Sequence, residues 1–344
     1  MKRNVALWAL GCGVLVLLVV AAGWSELRAG VAHAQGRIMV GLLALQVLTL
    51  GLIAYQWQFV LRRADVDLHY REVLAVTLAG GFVESVTPSS KLGGEAAKVY
   101  LFRRLSGAEY GTLSSALLVH KFVSLLPFFG LCLLFATVGL LRLELALPSS
   151  ALLAIGATGA LAGIVGGTLV LMRTEQFPGT LPGFGRIDLP TWVGQRVGDA
   201  IAFARDAVVG ATTVLSPWER RWLYGISLVV WGLYPIKIYV VALMLGLDVS
   251  LFLATIGTGL AYLASIVPFS PGGLGSFEGV LAGVFVAGGT TFADGMAVSV
   301  LSRLVTFWFP LVVSALATAW LLGSDYRLSP DDLGLPSLSD RLRK

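Results

Sequence analysis

Charge is scarce in this chain: only 13% of its 344 residues are Asp, Glu, Lys or Arg, about half the share of an average soluble domain. That excludes water as the principal solvent, and a mean hydropathy of +0.83 agrees. Cysteine is nearly missing. Cys12 and Cys132 are the only two, each within an apolar run, which argues against a disulfide framework or a thiolate metal site. The three histidines, His33, His69 and His120, are too scattered to suggest a metal centre. There is no Walker lysine loop, no HExxH and no nucleophile-elbow serine. No cofactor and no catalytic residue are expected, and transport by such a chain must run on an ion gradient, a lipid gradient or a partner's energy. The net charge of +5 forms no block, so the basic residues read as topology determinants and not as a nucleic-acid surface.

What the chain has instead is long apolar runs. A helix needs about 20 residues to cross ~30 Å of hydrocarbon, and spans are expected near 5–23, 38–61, 112–141, 151–172, 222–245 and 295–322. The fold class is all-α, a polytopic transmembrane bundle. The first run exceeds the apolar core of a signal peptide and is expected to stay as an uncleaved span. Two further stretches, 73–87 and 251–285, are interrupted by Gly and Pro. Basic residues after the spans (Arg62, Arg63, Arg71, Arg103, Arg104, Arg220, Arg221, Arg327) fall on one side if Lys2 and Arg3 are cytoplasmic. This predicts an inner or plasma membrane protein with a cytoplasmic N-terminus. The first outer loop, with Arg28 and Arg37 against Glu26, is the exception.

The order of features occurs twice. Each half has a span, a polar turn (Asp65-Val66-Asp67-Leu68, Asp248-Val249-Ser250-Leu251) and a broken apolar stretch. A proline then precedes a diglycine and a glutamate: Pro88, Gly93, Gly94 and Glu95, then Pro268, Gly272, Gly273 and Glu278. Later spans carry His120 and Arg303 at equal distance before Pro127 and Pro310. One full span between the units inverts the second, the arrangement from which many transporters are built. The broken stretches then read as two re-entrant hairpins entering from opposite faces, whose freed backbone groups must line protein or a wet cavity. The domain boundaries are 1–325 for the membrane domain, with repeat units at 40–142 and 222–322, and 326–344 for a short polar tail. A cytoplasmic linker at 173–221 contains an amphipathic helix (Val193, Val197, Ile201, Ala204, Val208) expected to lie on the leaflet.

A charge near the bilayer centre costs roughly 2.5 to 3.5 kcal/mol. The candidates are Glu84, Lys91, Glu95, Lys98, His120, Lys121, Lys237, Glu278 and Arg303. Two readings stand: ion pairs such as Glu84 with Lys121 or Glu278 with Arg303 that hold helices together, or a site for an anionic headgroup. Lys98 and Lys237 could also snorkel to an interface. The cations outnumber the carboxylates, which suits a phosphate. Gly93 and Gly94, or Gly272, Gly273 and Gly275, either allow unusual backbone angles beside a headgroup or simply close helix hairpins. A helix starting just past each diglycine would present its free N–H groups to an anion.

The motifs Thr87-Pro88-Ser89-Ser90-Lys91-Leu92-Gly93-Gly94-Glu95 and Val267-Pro268-Phe269-Ser270-Pro271-Gly272-Gly273-Leu274-Gly275-Ser276-Phe277-Glu278 resemble those of the flippase-like membrane region of lysylphosphatidylglycerol synthases. That region also occurs in standalone bacterial and archaeal membrane proteins, and the arginine-bearing last span around Arg303 fits it. The resemblance implies handling of a modified anionic lipid. The two-part enzymes carry a soluble aminoacyl transferase domain after the membrane region; here the sequence runs some twenty residues past its last span, and aminoacyl transfer by this chain is not expected. Other relatives accompany glycosylation, which keeps polyprenyl phosphates among the cargoes. Where the family motif often has arginine a few residues after the glutamate, this chain has Lys98.

The expectation is therefore a lipid translocase, with a non-transporting subunit serving a lipid-modifying or glycosyl transferase as the alternative. Lys91, Lys98, His120, Lys121 and Arg303 would bind the headgroup, and Glu84, Glu95 and Glu278 would balance or relay charge. Turns with Pro88, Gly93, Gly94, Pro268, Pro271, Gly272, Gly273 and Gly275 would shape the cavity.

Overall fold

The computed structural model describes residues 35–87, 91–142, 213–265 and 271–323, together with Val20. The expected spans at 5–23 and 151–172, the amphipathic linker helix, the tail, Pro88 and Pro268 lie outside the described residues.

Among the described residues every element is helical. They are α1 (Gly36–Arg63), α2 (Tyr70–Val86), α3 (Lys91–Ser106), α4 (Tyr110–Arg142), α5 (Pro217–Met244) and α6 (Leu251–Ala264), then a short turn at Pro271–Gly273, α7 (Ser276–Ala287), α8 (Phe292–Arg303) and α9 (Phe309–Gly323). A wide π-turn, Leu304–Trp308, joins α8 to α9 in one helix from Phe292 to Gly323. Four helices are long and apolar enough to cross a bilayer: α1, α4, α5 and this compound helix. They correspond to four of the spans expected from hydropathy. The protein is a polytopic, all-α membrane protein.

Local chemistry sets the ends. Ser216 opens α5 by accepting the Glu219 amide at 3.4 Å, while the Glu219 carboxylate accepts the Ser216 amide at 2.9 Å, a reciprocal cap followed by Pro217 at the first helical position. The helix therefore begins five residues before the expected span at 222, because cap chemistry and not hydropathy decides its start. Ser250 and Thr291 cap α6 and α8 in the same way, accepting the amides of Leu253 and Asp294. Pro310 lacks an N–H and crowds the preceding turn. The Phe309 amide just before it reaches back five residues to Leu304, and the widened turn carries the helix past the proline.

The two broken stretches form antiparallel helix pairs. Gly80 of α2 faces Gly94 and Lys98 of α3, whereas Gly94 faces Gly80 and Glu84. Gly257 of α6 faces Leu281, Val284 and Phe285 of α7, whereas Gly288 lies over Leu253. The pairs occupy different ends of the bundle. One apolar core joins α2 and α3 to the end of α1 (Trp57, Leu61) and the start of α5 (Leu223). The other joins α6 and α7 to the start of α1 (Leu42) and the end of α5 (Ile238, Val241). Along α1, Leu42 and Leu61 lie 19 residues apart, which separates the two cores by about 28 Å at 1.5 Å per residue. Between them the Pro271–Gly273 turn of the second pair reaches α2 of the first.

The first diglycine departs from expectation, and the second does not. Gly93 and Gly94 lie within α3, which starts before them at Lys91, and neither has a positive φ. The value of Gly94 is closeness: a methyl on it would stand 2.6 Å from the Gly80 carbonyl oxygen and 2.7 Å from the Glu84 Cβ. Gly272, Gly273 and Gly275 do take positive φ (62°, 68° and 84°) and turn the chain into α7. Gly94→Ala is expected to cost about 1 to 3 kcal/mol through overpacking. Gly283→Ala, where nothing lies within 4 Å, should leave thermal unfolding in detergent unchanged or slightly raised.

Candidate functional site

The first cluster is built on Glu95 of α3. Its Oε1 accepts hydrogen bonds from Lys98 Nζ, one turn on, at 2.8 Å and from Lys121 Nζ of α4 at 2.6 Å. Glu95 and Lys98 are buried, and the Lys121 side chain remains 23% exposed. A buried aromatic floor lies beneath: the Trp57 ring of α1 stacks on His120 with centroids 4.3 Å apart, and Lys98 Nζ stands 5.9 Å from the same ring. Among the described residues, Glu95 Oε2 and both His120 ring nitrogens are buried with no hydrogen-bond partner. An unmade bond of this kind costs about 1 to 3 kcal/mol. The cluster is therefore chemically incomplete.

The pair expected between Glu84 and Lys121 is not the one formed. Lys121 turns to Glu95, because Glu95 lies on the helix that packs against α4, while half-buried Glu84 sits with its Cβ against Gly94 and its charge near Lys98. Lys91 and Gly93 lie at the start of α3.

The second cluster is complete. Glu278, 1% exposed, accepts from Arg303 Nε at 2.9 Å and from the Gly275 amide at 2.6 Å, so both of its oxygens are used. Arg303 Nη2 donates to the Gly272 carbonyl at 2.6 Å. Its guanidinium lies 4.9 Å from the Phe277 ring centroid and 4.2 Å from that of Phe307. Arginine suits this place because its planar fork serves a carboxylate, a carbonyl and two ring faces together. The site works as a clamp on the turn that starts at Pro271. The anion seat expected at the start of α7 is filled by the motif's own glutamate.

A third group surrounds Lys237 of α5, which is 0% exposed. It reaches no interface, contrary to the snorkelling alternative, and neither does buried Lys98. Lys237 Nζ donates to Gln46 Oε1 at 2.5 Å and to Thr49 Oγ at 3.1 Å, and lies 4.2 Å from the Tyr234 ring centroid. Lys98 and Lys121 share the Glu95 carboxylate and Arg303 pairs with Glu278, whereas Lys237 has no carboxylate within ion-pair distance among the described residues. Replacing it with methionine removes a desolvated charge while keeping the volume. Lys237→Met is therefore expected to raise the melting temperature in detergent.

Sequence reasoning missed Trp57, Phe277 and Phe307, because an aromatic in an apolar span carries no mark of its partner. It also missed that Glu95 and Lys98, three apart on one helix, pair directly, although that spacing was available to read.

The two motif glutamates share a further relation: Glu95 meets a cation 26 residues later and Glu278 one 25 residues later, each on the next helix but for the motif helix itself. The chain is 22% identical over 326 residues to a UPF0104 membrane protein of Methanothermobacter thermautotrophicus, covering 92% of this chain and 94% of the relative. Another from that organism is 22% identical over 332 residues, covering 93% of each chain. A UPF0104 membrane protein of Pyrococcus horikoshii is 24% identical over 280 residues, covering 76% and 81%. Residues 8–314 match the family described as the lysylphosphatidylglycerol synthase TM region, and the chain belongs to that family.

Proposed function

We propose that this protein moves an anionic lipid between leaflets, with its headgroup held at the Glu95 cluster. The observation that carries the reading is the incompleteness of that cluster: two lysines on one carboxylate oxygen, with the other oxygen and a whole imidazole left without partners among the described residues. A phosphate completes the lysines as a charge-assisted acceptor. Hydroxyl or ammonium groups on the same headgroup supply donors for Glu95 Oε2 and His120. The cargo class is thus a phospholipid or polyprenyl phosphate whose headgroup carries hydrogen-bond donors, aminoacylated lipids included.

In this reading the two helix pairs are re-entrant hairpins of an inverted repeat, and the headgroup passes where their turns approach. Their separate apolar cores at the two ends of α1 and α5 support that arrangement. The helix ends around the first pair hold Arg62, Arg63, Arg71, Arg103, Arg104, Arg220 and Arg221, which supports a cytoplasmic side for that end and, in the same reading, for the N-terminus.

The test is reconstitution into liposomes containing trace labelled lipids with glycerol, amine, aminoacyl and sugar headgroups, followed by chemical accessibility in each leaflet. Faster exchange of a donor-bearing anionic lipid than of phosphatidylcholine is expected. Tight binding without exchange would instead mark a protein that presents lipid to a transferase partner.

A further inference from the structure

Two exposed stripes meet on the outside of the bundle, away from the buried clusters. On α1, Leu48, Leu52, Tyr55, Phe59 and Arg62 recur at helical spacing, with Leu48 49% and Tyr55 36% exposed. On α5, Trp218, Trp222 and Val229 are exposed along a matching line. Trp222 Nε1 donates to Tyr55 Oη at 3.4 Å, so the stripes adjoin. At the α1 end of this groove lies a cleft of about 400 Å³ lined by Tyr55, Gln58, Phe59, Arg62 and Arg63. Arg63 forms an ion pair with Glu219 of α5, and its guanidinium stands 5.7 Å from the Phe59 ring centroid. Arg62 is exposed.

We propose that this cleft and groove bind one anionic glycerophospholipid of the surrounding leaflet, with its phosphodiester between Arg62 and Arg63 and an acyl chain between the stripes. The depth fits. Tryptophan and tyrosine mark the headgroup level of a membrane protein, and Arg62 lies two helical turns beyond Tyr55 towards water. The charge fits as well. Two guanidiniums line the cleft against the single carboxylate of Glu219, and Arg221 lies 5.6 Å from the Trp218 ring centroid at the groove's edge, so positive charge is in excess where a phosphodiester would sit, and arginine forks suit its oxygens. The apolar part fits only a lipid. Tyr55 and Phe59 wall the cleft and lead without interruption into Leu52 and Leu48, surface from which a free phosphate gains nothing. Lipid tails lie against the groove whatever their headgroup, so the arginines supply the discrimination. The site is separate from the Glu95 cluster and stands whether or not that cluster carries cargo.

The test is native mass spectrometry of the delipidated full-length protein, titrated with phosphatidylglycerol and with phosphatidylcholine of the same chains. Glycerol phosphate is added as a chainless competitor. Phosphatidylglycerol is expected to bind about tenfold more tightly. Arg62→Gln, at an exposed position, should lose most of that preference, while Arg37→Gln, exposed at the opposite end of α1, retains it. Glu219→Gln, which releases Arg63 from its pair, should strengthen it. An undiminished preference in Arg62→Gln overturns the proposal. So does full displacement by glycerol phosphate at equal concentration, which would make the cleft an anion site without a lipid.

Discussion

Arg303→Gln is expected to lower the stability of the solubilised protein by about 3 to 5 kcal/mol, the range for breaking a buried ion pair from one side. Removing the guanidinium strands Glu278, which is 1% exposed, keeps one of its oxygens on the Gly275 amide, and leaves the Gly272 carbonyl without its donor. Arg303→Lys should recover only part of the loss, because an ammonium reaches the carboxylate or the carbonyl but does not fork between them. The double variant Arg303→Met with Glu278→Met should recover part of the loss, since it leaves no charge buried alone, while the Gly272 carbonyl and the Gly275 amide each lose a partner. Thermal unfolding of the four proteins in one detergent checks this. A stable Arg303→Gln would mean that Glu278 finds another donor and that the clamp is dispensable.

Lys121→Gln is expected to have the opposite profile, with lipid exchange falling roughly ten- to a hundredfold while stability drops by about 1 kcal/mol or less. Glu95 keeps its contact to Lys98, and the Lys121 side chain, 23% exposed, contributes to the pair only what a partly solvated ion pair does. What disappears is a charge-assisted bond to the headgroup phosphate, a type worth about 1.5 to 3 kcal/mol, or roughly ten- to a hundredfold in binding. Lys121→Arg should retain part of the exchange rate. Leaflet accessibility and melting measured on the same preparations separate the two effects. Unchanged exchange in Lys121→Gln would remove the Glu95 cluster from the path.

These contrasting profiles follow from geometry that the sequence displays unevenly. Hydropathy over about 20 residues marks a span regardless of its neighbours, so α1, α4, α5 and the compound α8–α9 helix were legible. Glu278 and Arg303 were legible as a possible pair because two opposite charges in apolar surroundings have few other solutions. Lys121 was assigned to Glu84 and meets Glu95, since the choice between two carboxylates depends on which helix packs against α4. The Lys237 contacts to Gln46 and Thr49 lie 191 and 188 residues away, and neutral polar side chains in a span give no sign of such a partner. Gly94 was read either for backbone freedom beside a headgroup or for closing a helix hairpin, and it serves helix contact. A glycine's reason depends on what faces it.

The claim that binds the account together is that the two helix pairs enter from opposite faces and meet around the path. Single cysteines at Glu109, beyond the base of the first pair, and at Ala287, at the base of the second, test it in a background in which Cys12 and Cys132 are replaced. Oriented vesicles are treated with a membrane-impermeant maleimide from one side and then, in a separate sample, from the other. The account predicts that each cysteine is labelled from one side only and that the sides differ. Labelling of both from the same side would contradict the opposed hairpins, and with them the path proposed for the lipid.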